Sequence, residues 1–319
     1  MPEAIIFIIS LAALIFGADW LGNTATHIAK SLSLPIILIG ATIVSLATTL
    51  PEVAVAGFSG TSGVPELGIG TVLGSPLVNI GLIYGVLLLF SRARVEKAYF
   101  SRTVQFLFTV LALLLLIFLG GTITKIAGGI LILAGFFYLA AEFIVSKSEQ
   151  SLIEKIETRF ERLRLFFADG KHYQQIFYLF VGSALLLLGA HFLVDSAVVL
   201  AEILRVPQVL IGVFLVAAGT SLPELFTAIV SITRGRDQIA VGNLFGASVL
   251  DLTFGLGAAS VFAGARIEAA SSYLMVGAIF TFSILSLVSV FGKISPKVLG
   301  GILIAVYLIF VVWFGRIEI

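Results

Sequence analysis

Two glutamates lie within apolar stretches of this sequence, and each follows a proline and a pair of hydroxyl residues. The pattern is Thr-Thr-Leu-Pro-Glu at residues 48–52 and Thr-Ser-Leu-Pro-Glu at residues 220–224, an offset of 172 residues. A carboxylate at membrane depth is costly unless it meets a partner, a cavity or a cation. Carboxylate, hydroxyl and carbonyl oxygens together suit hard cations such as Ca²⁺ and Na⁺. The two segments therefore predict a cation site.

Each segment carries a proline inside a predicted helix. Pro51 and Pro223 lack a backbone N–H and clash with the carbonyl group four residues earlier, on Ala47 and Gly219. We therefore expect both helices to open and to free carbonyl oxygens. The hydroxyls expected beside these oxygens belong to Thr48, Thr49, Thr220 and Ser221.

A polar stripe follows each segment. Thr71, Ser75 and Asn79 recur every four residues and so share one helix face. Their counterparts in the repeat are Asn243, Ala247 and Asp251, with Ser248 close by. Small-xxx-small patterns, which let another helix approach closely, accompany the stripes at Gly70, Gly74, Gly242 and Gly246. We expect this packing to bring the stripes against the glutamate segments.

The elements that position these residues are membrane spans. With 59% hydrophobic residues, 12% charged residues and a mean hydropathy of +1.15, the chain is a polytopic membrane protein. A span needs about 20 mainly apolar residues. Ten stretches qualify, near 4–29, 36–60, 66–90, 102–120, 124–145, 175–200, 208–233, 238–263, 271–291 and 296–315. The zero cysteines exclude disulfides and thiolate metal sites. The net charge of +1 says nothing about nucleic acid, and because no basic stripe suggests it, no nucleic-acid partner is predicted.

The repeat divides the spans into two halves. Residues 1–145 form a first five-helix repeat, residues 175–319 a second, and residues 146–174 a linker. Because five is odd, the second half enters the membrane from the opposite side, so the repeats are inverted. Inverted repeats place a binding site near the bilayer midplane and favour alternating access. The predicted fold is an all-α integral membrane protein with ten transmembrane helices.

Orientation follows from positive charge, which is retained in the cytoplasm. With the N-terminus outside, fifteen of the 19 Lys and Arg residues lie in inner segments, and the outer ones are Lys125, Arg205, Arg266 and Arg316. Both termini are therefore predicted outside and the linker inside. Apolar residues at helical spacing in the linker predict an amphipathic helix on the inner membrane surface.

These segments, together with residues 70–79 and 242–251, resemble the two alpha repeats of the calcium/cation antiporter superfamily. The resemblance covers nearly the whole chain. It is closest to the prokaryotic sodium/calcium exchanger branch, which favours Thr-Ser-Leu-Pro-Glu. The proton/calcium branch tends to have Gly-Asn-x-x-Glu and no acid at the position of Asp251. The resemblance implies an antiporter without a cofactor, enzymatic activity or an obligate protein partner, whose partners are the lipid bilayer, Ca²⁺ and Na⁺. The short linker predicts a prokaryotic cytoplasmic membrane, with an organelle as the alternative.

The resemblance also implies which residues bind each ion, and how many ions exchange. Ca²⁺ would be held by Glu52, Glu224 and the backbone oxygens of Thr48 and Thr220. Residues for Na⁺, or shared between the ions, would be Ser75, Asn79, Thr49, Ser221, Asp251, Ser45 and the carbonyl of Ala217. If three Na⁺ exchange for one Ca²⁺, as in the family, each cycle moves net charge.

Two departures from the family pattern leave proton coupling open. Ala247 stands where a serine hydroxyl is usual, and Pro76 stands where a non-proline residue is usual. The first removes one oxygen from a sodium site, although Ser248 or water could replace it. Because buried carboxylates can exchange protons for cations, a proton/calcium exchanger is the alternative. A cation channel is a further one, and an intramembrane hydrolase a weaker one.

Polar residues also recur in the first and sixth spans. Asp19 and His191 occupy equivalent positions, as do Asn23 and Asp195. Two interpretations remain open for them: helix packing or gating, and ion binding.

Overall fold

The computed structural model describes residues 2–31, 42, 44–90, 97–145, 173–233, 237–261, 265–266, 269–291 and 294–318, nearly all of them helical. The helices are α1 (Pro2–Ser31), α2 (Ser45–Thr61), α3 (Pro65–Phe90), α4 (Lys97–Phe118), α5 (Lys125–Val145), α6 (Tyr173–Leu204), α7 (Gln208–Thr233), α8 (Asp237–Leu250 with its continuations Asp251–Gly255 and Leu256–Val261), α9 (Ala269–Phe291) and α10 (Pro296–Glu318). Apart from its last two residues, the predicted linker lies outside the described residues, as does most of 36–44.

Eight of the described helices are long and apolar enough to cross a membrane, namely α1, α3 and α5 to α10. Helix α4 has a shorter apolar stretch, Thr103–Phe118, and the described part of α2 begins at Ser45. The prediction of an all-α membrane protein is thus confirmed. That α2 and α4 also cross, which would bring the number of spans to ten, stays a prediction.

Helices α3 and α8 form the interior of the molecule. In each, 83% of the apolar stretch is buried, against 28% in α1, α5 and α10. An interior helix is expected to be apolar on all sides, so the polar residues of α3 and α8 are exceptions. Among these exceptions, Ser75, Asn79 and Asp251 are fully buried.

Stretches of π-helical backbone follow the sequence repeat. Leu77–Ile83 in α3 and Asp251–Gly255 in α8 overlap at the offset of 172 residues, and Ile211–Val216 in α7 includes the positions matching the π-helical Thr42 and Val44. Such turns are rare and are frequent at functional sites. The stretch in α3 follows Pro76, but the matching position in α8 is Ser248. A proline therefore does not explain the π-helical stretches in both helices. Their recurrence supports a duplicated architecture, whereas its inversion stays a prediction.

Helices α1 and α6 pack through glycines at equivalent positions. A Cβ atom at Gly17 would lie 2.7 Å from the carbonyl oxygen of Gly182, and one at Gly189 would lie 2.9 Å from that of Ser10. Gly17 and Gly189 differ by the repeat offset, and so do Ser10 and Gly182. Each helix therefore meets the other with corresponding residues, as a two-fold axis between the halves would produce.

The glycines beside the first polar stripe let α3 touch α7. A Cβ atom at Gly70 would lie 2.5 Å from the carbonyl oxygen of Val209, and one at Gly74 would lie 2.9 Å from the Cβ of Ala217. The two backbones thus meet at these glycines, as their small-xxx-small spacing predicts.

We expect Gly70→Ala to destabilise the protein by about 1–3 kcal/mol, because the added methyl group meets backbone atoms that cannot rotate away. Thermal unfolding of the detergent-solubilised variant measures this change. Gly277→Ala in α9 is the matched control, because a Cβ atom there would have no neighbour within 4 Å. Equal melting temperatures for the two variants would contradict the close contact of α3 with α7.

A short antiparallel ladder joins two connections from different halves. Strand β1 (Thr122–Ile123) follows α4, strand β2 (Ala265–Arg266) precedes α9, and Thr122 pairs with Arg266. The pairing requires both connections to lie on one side of the molecule. The charge distribution also predicts a common side for them, the outer one.

Candidate functional site

Helices α2, α3, α7 and α8 bring polar side chains into the interior. These side chains belong to Ser45, Thr48, Thr49, Glu52, Ser75, Asn79, Thr220, Ser221, Glu224, Asn243 and Asp251, each at most 8% exposed. All are predicted site residues except Asn243. Ala217, the remaining predicted residue, is also buried. Hydrogen bonds and facing charges connect most of this set into one group.

Ser75 joins the two predicted glutamate segments. Its hydroxyl donates to Oε1 of Glu52 at 3.3 Å and lies 2.9 Å from the hydroxyl oxygen of Ser221. A hydroxyl has only one proton. Because Ser75 donates its proton to Glu52, its oxygen accepts the proton of Ser221. One side chain from α3 therefore links α2 of the first half to α7 of the second.

The hydroxyl threonines face the glutamates of the opposite half. Thr220 lies toward Glu52, and Thr48 lies toward Glu224. Negative charge on Glu52 and Asp251 acts on Glu224, and negative charge on Glu52 acts on Asp251. The three carboxylates are therefore neighbours in the interior of the protein.

Most oxygens of these carboxylates have no hydrogen-bond partner within the described residues. They are Oε2 of Glu52, both side-chain oxygens of Glu224 and both of Asp251, all fully buried. Burying an unpaired carboxylate costs several kcal/mol even after the protein relaxes. An ionised site therefore requires bound cations, and an empty site requires protons.

The backbone at the two prolines differs from our prediction in the first half. Helix α2 runs without interruption through Pro51, whereas α7 is interrupted at Ser221, just before Pro223. The Thr49 hydroxyl donates to the Ser45 carbonyl at 2.7 Å, a bond that lies within α2 and bridges one turn. The expected helix opening is thus wrong for Pro51. A missing N–H alone does not break a helix that its neighbours hold in place.

The Ala217 carbonyl, a predicted sodium ligand, already accepts a hydrogen bond from the N–H of Ser221 at 3.0 Å. The Thr220 hydroxyl lies 3.4 Å from the same oxygen but is closer to the Val216 carbonyl, at 3.0 Å. A carbonyl oxygen has two lone pairs. A cation at this oxygen would therefore share it with the Ser221 N–H.

The second half lacks the hydroxyl that Ser75 supplies in the first. Ala247 occupies the matching position, and the hydroxyl of the adjacent Ser248 donates to the Leu244 carbonyl of its own helix at 2.8 Å. The Ser248 hydroxyl therefore donates within its own helix and not to a carboxylate. Among the described residues, Glu52 has one hydrogen-bonded oxygen and Glu224 has none.

Asn243 belongs to the group, although the sequence singled it out only as the counterpart of Thr71. Its Oδ1 accepts a hydrogen bond from the Thr48 hydroxyl at 3.2 Å, and its backbone carbonyl accepts one from the Ser45 hydroxyl at 3.4 Å. Its Nδ2 is buried and has no acceptor in the described part of the chain. The position of Asn243 on the polar stripe of α8 was the sequence signal that could have identified it as a site residue.

The polar pairs of α1 and α6 lie apart from this group. Asn23 donates to Asp19 at 2.9 Å, and His191 lies 3.7 Å from Asp195, with about half of each of the latter two side chains exposed. Within the described ranges, no three Asp, Glu, His or Cys side chains converge closely enough to hold a resident metal ion. Any cation in the buried site must therefore use hydroxyl and carbonyl oxygens as well.

Comparison with known proteins gives consistent matches over nearly the whole chain. The family described as sodium/calcium exchanger protein matches residues 3–144 and 174–316. The candidate antiporter CaxA of Alkalimonas amylolytica is 30% identical over 292 residues, covering 90% of this chain and 91% of CaxA. The sodium/calcium exchanger MaX1 of Methanosarcina acetivorans is 25% identical over 324 residues, covering 89% and 90%.

The fold is also that of a solved structure. The sodium-calcium exchanger NCX_Mj superposes with a TM-score of 0.67 over 97% of this chain and 98% of that chain, at 24% identity. The likeness at this identity concerns the arrangement of the helices.

Proposed function

Because this chain belongs to the sodium/calcium exchanger protein family, we propose that it exchanges Ca²⁺ for Na⁺ across a prokaryotic cytoplasmic membrane. The family makes it an integral membrane antiporter. The proposal adds the coupling ion, the binding residues and alternating access at one shared site. Residues 1–145 and 175–319 would act as inverted halves, with the linker on the cytoplasmic side and both termini outside.

The buried carboxylate oxygens that lack a donor in the described part of the chain are the observation that supports this proposal most directly. Ionised, Glu52, Glu224 and Asp251 carry three negative charges in an interior that penalises each of them. Three Na⁺ would neutralise all three charges, and one Ca²⁺ would neutralise two. Because both cargoes need the same oxygens, each excludes the other, and this exclusion produces exchange.

We assign the residues by their oxygens. Ca²⁺ takes six to eight oxygen ligands, which Glu52, Glu224, Thr48 and Thr220 would supply in part, and water the rest. The proposed residues for Na⁺, or shared between both ions, are Ser75, Asn79, Thr49, Ser221, Asp251, Ser45 and the carbonyl of Ala217. Ser75 is central to this set, because it touches both Glu52 and Ser221.

Proton coupling is the second candidate, and one observation favours it. Ala247 supplies no oxygen, and the Ser248 hydroxyl bonds to Leu244 instead. A sodium site that used this position would therefore lack a ligand. Protons need no coordination shell and could neutralise Glu224 in its place.

Transport into liposomes separates these candidates. Purified protein is reconstituted into vesicles loaded with Na⁺ or with acidic buffer, and these are diluted into Na⁺-free medium containing radioactive Ca²⁺. We expect an outward Na⁺ gradient alone to drive Ca²⁺ uptake, because Na⁺ leaving the site frees its oxygens for Ca²⁺. Uptake should also respond to membrane voltage, since three charges exchange for two.

Each of the other possible results would assign a different function to the protein. Uptake driven by the pH gradient and not by Na⁺ would make proton exchange the function. Uptake with neither gradient would indicate a channel, because a channel passes Ca²⁺ without a counter-ion. Empty liposomes treated with a Na⁺ ionophore control for leakage.

A further inference from the structure

The two halves of the site hold their equivalent threonines, Thr48 and Thr220, differently. The Thr48 hydroxyl reaches out of its helix to Oδ1 of Asn243, at 3.2 Å, across 195 residues of chain. The Thr220 hydroxyl instead donates to Val216 in its own helix at 3.0 Å. Among the described residues, a hydrogen bond to the polar stripe of the other half is thus present for Thr48, whereas Thr220 donates within its own helix.

The residues at the repeat positions explain this difference. Thr71 occupies in the first half the position that Asn243 occupies in the second, and its hydroxyl donates to the Leu67 carbonyl at 2.9 Å. A short hydroxyl side chain on a helix readily bonds its own backbone in this way. An amide is longer and presents an acceptor and two donors, so Asn243 can reach another helix.

Asn243 contacts α2 at two points. Besides the bond from Thr48, its backbone carbonyl accepts a bond from Ser45, one turn earlier in α2. Thr48 can also donate to the Ser45 carbonyl at 3.3 Å, but that bond lies within α2 and does not connect it to the second half. The tie between Thr48 and α8 therefore depends on the Asn243 amide.

The amide nitrogen gives a second sign that this residue serves a site. It is fully buried and has no acceptor among the described residues. A buried donor without an acceptor costs free energy, so a side chain retained only for packing would be better apolar. Thr48 itself lies toward Glu224, whose two oxygens are likewise unpaired.

We propose that Asn243 is a positioning residue of the cation site, which holds the Thr48 side chain against the second half of the chain so that the Thr48 backbone oxygen stays in place for Ca²⁺. The inference rests on the proposed function of that site. It concerns only the second half's stripe, since the Thr71 hydroxyl in the first half donates to Leu67 of its own helix. The two halves of the site are therefore unequal in how firmly their threonines are held.

Asn243→Thr tests this role by giving the second half the residue that the first half carries. We expect the half-saturating Ca²⁺ concentration in equilibrium binding to rise about fivefold, the factor that the loss of one ordinary hydrogen bond produces. Thr48→Val should raise it at least as much. The double variant should bind like Thr48→Val alone, because Asn243 acts through Thr48. Ser283→Ala, which removes a buried hydroxyl bonded within α9, is the control and should bind like the unaltered protein.

The outcomes separate positioning from packing. Effects that multiply in the double variant, or unchanged Ca²⁺ binding by Asn243→Thr, would overturn the proposal. If Asn243→Thr fails to give monodisperse protein, Asn243→Ala replaces it, and failure of both while Thr48→Val folds would assign Asn243 to the fold instead. Binding is measured without a gradient, so an unaltered protein that binds Ca²⁺ but shows no Na⁺-driven uptake would contradict the proposed coupling alone.

Discussion

Glu52→Gln and Glu224→Gln are each expected to abolish Ca²⁺ transport. The amide keeps the size of the side chain but removes the negative charge that would balance the cation in a buried site. Loss of one partner from a buried charge pair costs about 3–5 kcal/mol, which corresponds to more than about a hundredfold in affinity. The measurement is Na⁺-driven uptake of radioactive Ca²⁺ into liposomes at matched protein content.

A matched control separates the site charges from charge in general. Glu66→Gln removes a carboxylate from the exposed start of α3 and should transport normally. Thermal unfolding of each variant shows whether the protein remains folded. Undiminished transport by either Glu52→Gln or Glu224→Gln in folded protein would remove that residue from the site.

Asp251→Asn is expected to shift competition at the site from Na⁺ toward Ca²⁺. With all three carboxylates ionised, three Na⁺ balance the charge. With Asp251 replaced, two negative charges remain, which one Ca²⁺ balances and three Na⁺ exceed. A buried uncompensated charge is worth several kcal/mol, so the Na⁺ concentration that displaces half of the bound Ca²⁺ should rise at least about tenfold.

The contrast between two exchange modes makes this prediction specific. Exchange of Ca²⁺ for Ca²⁺ across the liposome membrane should persist in Asp251→Asn, whereas Na⁺-driven uptake should fall. Glu202→Gln, at an exposed position of α6, is the control for general charge effects. An unchanged Na⁺ requirement would show that Asp251 takes no part in sodium binding.

The unequal surroundings of the two glutamates give these variants different expected severities. Glu52 has a hydroxyl donor in Ser75, whereas the repeat counterpart of Ser75 is Ala247 and Glu224 has no donor among the described residues. A glutamine at 52 can still accept the Ser75 hydrogen bond through its carbonyl oxygen. A glutamine at 224 would bury an amide oxygen and an amide nitrogen that both lack a described hydrogen-bond partner. Glu224→Gln should therefore be the less stable of the two variants.

Much of the site could be predicted because its residues are polar or helix-breaking, whereas the sequence around them is apolar and helical. Carboxylates and prolines in apolar stretches are unfavourable unless function retains them, and the offset of 172 residues presented the same combination twice. The helical spacing of Ser75 and Asn79 then predicted which face of α3 carries polar groups. All of these signals lie within one span or its repeat.

The parts that could not be predicted depend on contacts between helices. The bond from Thr48 to Asn243 exists because α8 packs on α2 at that point, and no local pattern encodes which helix faces which. The same limit applies to Ser248, whose hydroxyl could serve the site or its own helix, and bonds Leu244.

The behaviour of Pro51 shows a local rule overruled by its context. Both prolines satisfy the rule for a helix break, yet only α7 is interrupted, at Ser221. The two segments differ at that position, because α2 has Thr49, whose hydroxyl bonds Ser45 within the helix at 2.7 Å. The corresponding hydroxyl in α7 contacts Ser75 of another helix.

The ladder between Thr122–Ile123 and Ala265–Arg266 has a practical consequence for determining sidedness. Its two strands come from different halves but share one face of the protein, and the chain has no cysteine. A single thiol introduced by Thr122→Cys, at an exposed position of β1, would thus be the only one in the protein, and a reagent that cannot cross the bilayer would report its compartment. Because the strands are paired, that one label also locates the connection before α9, and so fixes one end of a helix in each half at once.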